Sequence, residues 1–402
     1  MATLSDLVSR ARAHVHVVSL EELRRRLEAD EALVLVDVRE VEELASGMLP
    51  GAISIPRGVL ELRAPSLLPD RARRIVTYCA LGSRSLLAAQ TLRDLGYEHV
   101  ESAEPGFTGW QERGYPIQEH GAPRGGRRLD SAARARYARH LLLPEIGEAG
   151  QLRLSDARVL VVGAGGLGSP VALYLAAAGV GTLGVIDADR VEMSNLQRQP
   201  LHSTHRVGWS KVKSASAAIH ELNPDVSVEA HEARLTSANV ERVVSAFDLV
   251  VDGSDNFPTR YLVNDASVWL GKAVVHGSVS RFDGQVTTFL PARAAGRFGL
   301  TAGPCYRCLY PEPPAPHLAP NCQEAGVLGV LPGLVGLLQA TETLKLLLGI
   351  GSSLVGRLMT YDSLAMRFRE LRLRPSPECP VCGPAPTITS YVDYEAFCAT
   401  GG

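Results

Sequence analysis

The sequence predicts an α/β protein of two domains, a small α/β domain followed by a larger one with a Rossmann-like, mixed but mainly parallel sheet. Three observations predict it. Short apolar runs with helical segments after them read as buried strands of α/β units. A glycine turn, Gly163-Ala164-Gly165-Gly166-Leu167-Gly168, stands between one such run and a helix. Between Tyr115 and Ala132 the composition turns to Pro116, Gly121, Pro123, Gly125, Gly126 and several charges, which neither helix nor strand favours.

Taken in order, Leu20 to Ala29 reads as a helix, Ala32 to Asp37 as a buried strand, Arg74 to Tyr78 as a second strand and Leu86 to Gly96 as a second helix. After the proline- and glycine-rich boundary, Ala157 to Val162 is an apolar strand that feeds the glycine turn. Leu183 to Ile186 is the next strand and delivers Asp187, placed for a ribose hydroxyl. Asp248 to Val251 opens into Asp252-Gly253-Ser254-Asp255-Asn256. A chain of 402 residues suits two domains of ~100 to 200 residues each.

Composition narrows the function classes. The 41 basic and 43 acidic side chains give a net charge of −2. Arg24-Arg25-Arg26 and the arginines from Arg124 to Arg128 read as a helix face and a linker, so nucleic acid is not expected as a partner. Met1 to Ala13 is charged and lacks the apolar run of a signal peptide, and the expected location is cytoplasmic. The run Val327 to Leu338 contains Pro332 and falls short of the ~20 residues that span a bilayer, so it reads as a core or interface helix rather than a membrane anchor.

The glycine turn and Asp187 suit NAD as well as ATP. Arg198, Lys211 and Asp255, all downstream of strand ends, shift the reading to ATP with Mg2+. Attack on the α-phosphate puts negative charge on departing pyrophosphate, which two cations can stabilise while an aspartate holds the metal.

Seven cysteines carry the remaining chemistry. Cys305-x-x-Cys308 and Cys379-x-x-Cys382 are two halves of a tetrahedral thiolate site suited to structural Zn2+, with a redox dithiol as the rival reading. Cys79 follows the strand ending at Tyr78 and precedes a helix, in Cys79-Ala80-Leu81-Gly82-Ser83-Arg84-Ser85. Backbone N–H groups and Arg84 would stabilise a thiolate there, making Cys79 nucleophilic. The five-residue spacing from Cys79 to Arg84 also fits a phosphatase loop.

Arg136-Tyr137-Ala138-Arg139, the glycine turn, Ser194 to Gln199, Ser254-Asp255-Asn256 and Cys305-Tyr306-Arg307-Cys308 together resemble the ThiF and MoeB family of E1-like adenylyltransferases. The resemblance runs in order from about Ala132 to Cys398. It implies that Gly166, Asp187, Ser194, Asn195, Leu196, Gln197, Arg198, Lys211, Asp255 and Asn256 bind ATP and magnesium, that the protein is a homodimer, and that Arg139 serves the nucleotide of the other subunit. It also implies a thioester, acyl persulfide or disulfide intermediate at Cys322, the match to a crossover-loop cysteine. Val36 to Glu40, Gly47 to Ala52 and Gly106-Phe107-Thr108-Gly109-Trp110 resemble single-domain rhodaneses, in which the loop cysteine, here Cys79, carries a persulfide.

These resemblances imply a rhodanese-like domain at 1–117, a linker at 118–131, and an adenylyltransferase domain at 132–402 with a zinc-binding C-terminal segment. The expected reaction is adenylylation of the C-terminal glycine of a ubiquitin-like sulfur carrier of the MoaD or ThiS type, ending in Gly-Gly, followed by sulfur transfer from the Cys79 persulfide to give a thiocarboxylate. The sulfur donor would be a cysteine desulfurase or thiosulfate, and the product would feed molybdopterin, thiamine, cysteine or tRNA thiolation chemistry. The rhodanese-like segment comes first here, whereas such fusions more often place it last. Cys398 and the terminal Gly401-Gly402 carry no assigned role. The alternatives are an adenylyltransferase with a separate sulfur donor, an NAD-linked oxidoreductase, and a non-catalytic docking scaffold.

Overall fold

A computed structural model describes residues 3–29, 33–117, 128–314 and 326–392. It divides into two compact units, Met1–Arg127 and Arg128–Gly402.

The first unit is a five-stranded sheet of β1 (His16–Ser19), β2 (Leu33–Asp37), β3 (Ile53–Ser54), β4 (Arg74–Tyr78) and β5 (Val100–Glu104). The order is β1-β5-β4-β2-β3 and every pairing is parallel. Successive side chains of a strand point to opposite faces, so Ile75 joins a core with Leu86, Ala89 and Leu92 while Val76 joins another with Leu23, Leu35 and Trp110. Both faces are covered, which explains the unbroken apolar runs. Beside them, Arg39 grips Asp37 from a fully buried position, with Nη2 2.7 Å from Oδ2.

The helix expected from Leu86 begins earlier, at Ser83, and ends at Asp94. Gly82, at φ 109°, turns the chain from the cysteine loop straight into that helix, a conformation that L side chains resist. Arg84 and Ser85 therefore belong to the helix and not to the loop.

The second unit contains an eight-stranded sheet, in the order β13-β12-β11-β10-β9-β6-β7-β8. Its strands are β6 (Arg158–Val162), β7 (Thr182–Ile186), β8 (Ser227–His231), β9 (Leu249–Asp252), β10 (Ala273–Ser280), β11 (Asp283–Phe289), β12 (Arg357–Asp362) and β13 (Arg367–Arg372). The run from β8 to β10 is parallel, and β10 to β13 is antiparallel. Val159 and Val161 enter one core and Leu160 and Val162 the other. After β8 the chain crosses to the far side of β6 to form β9. That reversal opens a crevice at the strand ends, where ligands of doubly wound sheets bind.

The apolar run near Val327 becomes a helix at Val330–Leu348. It is the one helix among the described residues long and apolar enough to cross a membrane, and half of it is buried against β10 and β11.

Candidate active site

The crevice is a cavity of about 520 Å3 lined by the glycine turn, Asp187, Asn195, Arg198, Lys211, Asp255 and Asn256. The glycines divide the labour. Gly163 takes φ 89°, a Cβ on Gly168 would fall on the Gly163 carbonyl, and Gly165 is open except for Gln199 Nε2 at 3.8 Å. The backbone at Gly165 is thus the part left free to approach a phosphate chain.

Asp187 braces this turn. Its Oδ2 accepts the Ala164 N–H at 2.8 Å and its Oδ1 accepts the Asp189 N–H at 2.8 Å. From the other side, His202 Nε2 lies 2.9 Å from the Ala164 carbonyl and Nδ1 lies 2.9 Å from Ser214 Oγ. A carbonyl can only accept, so Nε2 carries a proton. Burial depresses the pKa of His202, the nearby Lys211 charge lowers it further, and the Ala164 hydrogen bond opposes the shift.

Lys211 is buried at the start of the helix Lys211–Leu222 and donates Nζ–H to Asp189 Oδ2 at 2.8 Å. Arg198 donates to the Ser194 carbonyl at 3.0 Å and its side chain lines the cavity. Asn256 Oδ1 accepts the Thr259 N–H at 3.0 Å and caps the helix Phe257–Leu270. Asn195 Oδ1 likewise accepts the Glu192 N–H at 3.1 Å. Of the segment Ser194 to Arg198, Asn195 and Arg198 line the cavity, while Ser194, Leu196 and Gln197 do not. Asp255 is exposed at the cavity wall.

Gln199 Oε1 and Arg260 Nε are buried in the same wall without a hydrogen-bond partner. Orphaned polar atoms of this kind fit a polar ligand that completes them. Gln199 ends the Ser194–Gln199 motif but had no binding role assigned from the sequence, and Asp189, His202 and Arg260 were not singled out there. Only the proximity of Gln199 to Arg198 and of Asp189 to Asp187 could have marked two of them.

Cys305, Cys308, Cys379 and Cys382 converge, with their sulfurs all within 4.8 Å of one another. The Cys305–Cys379 and Cys308–Cys382 separations are 3.5 and 3.4 Å, and Cys305–Cys308 is 3.9 Å. A zinc tetrahedron with Zn–S of ~2.3 Å has edges of about 3.8 Å, so the four thiols fit that ion. Between the first two, Arg307 is buried in a two-pronged pair with Asp265 at 2.7 and 2.9 Å, and Tyr306 N–H donates to Asn264 Oδ1 at 2.7 Å. The helix Phe257–Leu270 thereby carries both the cap at the crevice and the anchor of the thiol cluster.

In the first unit, Cys79 is buried directly after β4, and its Sγ accepts the Gly82 N–H at 3.1 Å. Gly106 closes over it: a Cβ there would strike the Cys79 carbonyl. The sequence assigned Arg84 to the thiolate, but Arg84 is held first by Glu43, through Nη1–Oε2 at 2.5 Å and Nη2–Oε1 at 2.7 Å. The Glu43 carboxyl is correspondingly held below its usual range, first by Arg84. Arg139 is exposed and lies outside the cavity lining of its own chain. Cys322 and Cys398 fall outside the described residues.

Residues 137–381 match the sequence model of the ThiF family. The chain belongs to the ThiF family. Residues 19–113 match a rhodanese-like domain, which makes this a ThiF-family chain with an N-terminal rhodanese-like domain. A sulfur carrier protein adenylyltransferase of Thermus thermophilus is 56% identical over 263 residues, 65% of this chain and 96% of the relative. A SAMP-activating enzyme E1 of Haloferax volcanii is 52% identical over 272 residues, 67% of this chain and 97% of the relative. The adenylyltransferase and sulfurtransferase MOCS3 of Anopheles gambiae is 48% identical over 272 residues, 67% of this chain and 60% of the relative. The crystal structure of E. coli MccB with ATP shares the fold, with a TM-score of 0.52 at 21% identity, over 61% of this chain and 74% of that one. The ThiF match contains the glycine turn, Lys211, Asp255 and three of the clustered cysteines, and Cys382 follows one residue past its end.

Proposed function

We propose that this chain activates the C-terminal carboxylate of a ubiquitin-like sulfur carrier with ATP and passes sulfur from a Cys79 persulfide to it. The observation that carries the first step is the cavity at the sheet's switch point, where an open glycine backbone faces Arg198, Lys211 and Asp255. The names of the ThiF relatives support the substrate class.

A carboxylate oxygen of the carrier attacks the α-phosphorus. The O–P bond forms as the bond to pyrophosphate breaks, and Arg198 and Lys211 face the negative charge that leaves. Asp187 and His202 hold the glycine turn in the conformation that receives the phosphates. Asp255 would hold Mg2+, which neutralises phosphate charge when bound. Arg139 would complete the site of a second copy, which makes a homodimer part of the proposal. Zinc on the four thiolates would have no open coordination position and so fastens the C-terminal segment instead of catalysing.

The terminal sulfur of the Cys79 persulfide then attacks the acyl-adenylate carbonyl carbon and AMP leaves, giving an acyl disulfide. A second thiol, assigned to Cys322, attacks the Cys79 sulfur. The S–S bond breaks, the carrier departs as a thiocarboxylate, and a disulfide remains for a reductant to reopen. Free thiols of this kind suit the reducing cytoplasm.

Carrier-dependent ATP–pyrophosphate exchange, with the carrier terminus weighed by mass spectrometry, tests the proposal. Exchange together with replacement of one oxygen by sulfur supports both steps. With Cys79→Ser, exchange is expected to persist and the thiocarboxylate to vanish. An unchanged thiocarboxylate yield would remove Cys79 and leave an adenylyltransferase with a separate donor.

A further inference from the structure

The charge arrangement around the Cys79 loop bears on which sulfur compound it accepts. Arg84 lies in the first turn of the helix that follows the loop, where a free guanidinium would draw a multiply charged anion into the ring of backbone N–H groups. It is not free. Glu43 takes two of its N–H groups in parallel at 2.5 and 2.7 Å, and Glu43 is itself fixed by the Glu40 N–H, which donates to Oε2 at 3.0 Å. Glu40 caps the short 3-10 turn Val41–Ser46 and Glu43 is its third residue, the two closing a capping box, so the carboxylate sits on a built structure.

A second acid stands beside the loop. A Cβ on Gly82 would approach Glu104 Cγ at 2.8 Å, and Glu104 binds Arg12 at 2.5 and 2.7 Å. Glu43, Arg84, Glu104 and Arg12 thus form two closed ion pairs around Cys79. Arg84 also interacts with the Cys79 sulfur, but Glu43 is the partner that holds it most strongly. The Gly82 N–H, which donates to the Cys79 sulfur at 3.1 Å, meets one negative charge there, and no uncompensated cation among these four groups meets a second one.

We infer that Glu43 is a specificity-determining residue of the sulfur-loading step: by occupying Arg84 it selects an uncharged or singly charged persulfide donor and rejects dianionic donors such as thiosulfate. The inference rests on the proposed sulfur transfer through Cys79. In the favoured reaction, Cys79–S⁻ attacks the outer sulfur of R–S–SH. The S–S bond breaks, R–S⁻ leaves, and Cys79–S–SH carries the proton. With thiosulfate the same attack would release sulfite and bring two further charges into the loop.

The experiment compares the full-length chain with Glu43→Gln, and with Glu43→Gln combined with Arg84→Gln, using thiosulfate and a small alkyl persulfide as donors and cyanide as acceptor. Glu43→Gln is expected to raise the thiosulfate-to-persulfide ratio of kcat/KM by about tenfold or more, and the double variant to return it towards the starting value. Alkylation of Cys79 by anionic iodoacetate against neutral iodoacetamide, followed on the Cys79 peptide by mass spectrometry, should shift towards iodoacetate in the single variant by a similar factor. Because this second ratio needs no sulfurtransferase activity, a protein that uses neither donor would refute the sulfur-transfer reading while the alkylation ratio still decides the role of Glu43. An unchanged or falling ratio in Glu43→Gln, or an equal loss with both donors, would overturn the inference and leave Glu43 a structural partner of Arg84. Glu43→Asp, which keeps the charge, should keep the wild-type preference and controls for folding.

Discussion

Lys211 Nζ and Asp189 Oδ2 meet at 2.8 Å in the lining of the switch-point cavity, the lysine side chain 7% exposed and the carboxylate 59%. The pairing is lopsided in environment. The lysine is held in place by its surroundings, whereas the aspartate reaches it from water and can be displaced by a more strongly charged phosphate.

The two residues should therefore respond differently to substitution. Lys211→Ala is expected to lower carrier-dependent pyrophosphate exchange by about a hundredfold, because a desolvated cation at developing phosphate charge is lost. Asp189→Asn should change it by less than about fivefold, since a largely exposed carboxylate contributes little. Initial rates of exchange at saturating ATP check both, and equal losses would show that the aspartate is part of the chemistry.

The turn glycines should not be equivalent. Gly168→Ala places a Cβ on the Gly163 carbonyl, a backbone atom that cannot withdraw, and should abolish ATP binding or soluble expression. Gly165→Ala meets only Gln199 Nε2 at 3.8 Å in the free protein. It should fold normally and weaken ATP binding, because the methyl group fills the space a phosphate needs. Thermal melts with and without ATP separate these outcomes.

Stability of the second unit should fall with acid through His202. Its folded pKa lies below 6.5 because burial disfavours the charged ring. As pH falls below about 6.5 the unfolded chain takes up the proton first, so the contribution is complete above that value and is lost progressively below it. His202→Gln should flatten the dependence of melting temperature on pH in this range. His202→Ala should in addition destabilise by roughly 1 to 3 kcal/mol at neutral pH, by leaving the Ala164 carbonyl and Ser214 without this partner.

Asp265→Ala should destabilise the second unit by roughly 3 to 5 kcal/mol, because it leaves the buried Arg307 guanidinium facing an uncompensated charge deficit. As Arg307 sits between Cys305 and Cys308, zinc retention should weaken in the same variant. A strong chelator should likewise lower the melting temperature of the native protein, and zinc should restore it. Metal content after dialysis, measured beside the melts, tests the connection between the ion pair and the thiol cluster.

Much of this was legible in the chain itself. Unbroken apolar runs such as Val159 to Val162 mark strands because a strand covered on both faces needs no polar side, and Gly163 to Gly168 mark a turn because other residues would clash there. The Cys305–Cys308 and Cys379–Cys382 spacings announced a four-thiol site for the same local reason: two residues between ligands let both reach one centre. The edges were less sharp. The helix after Cys79 begins at Ser83 and not Leu86, because a single left-handed glycine can start it without the apolar periodicity that sequence reading relies on.

Tertiary structure alone decided who meets whom. Glu43 and Arg84 are 41 positions apart, Asp265 and Arg307 are 42 apart, and His202 reaches Ala164 across 38. No periodicity encodes such distances, since each depends on which strands become neighbours and where the chain crosses the sheet. The sequence by itself determined two α/β cores, a phosphate-type turn, a loop cysteine and a thiol cluster, because backbone sterics and apolar spacing act over a few residues. Folding decided that Arg84 answers first to Glu43 and that Lys211 faces Asp189. Hydrogen bonds and charge act through space, and a side chain takes the partner that packing brings within 3 Å.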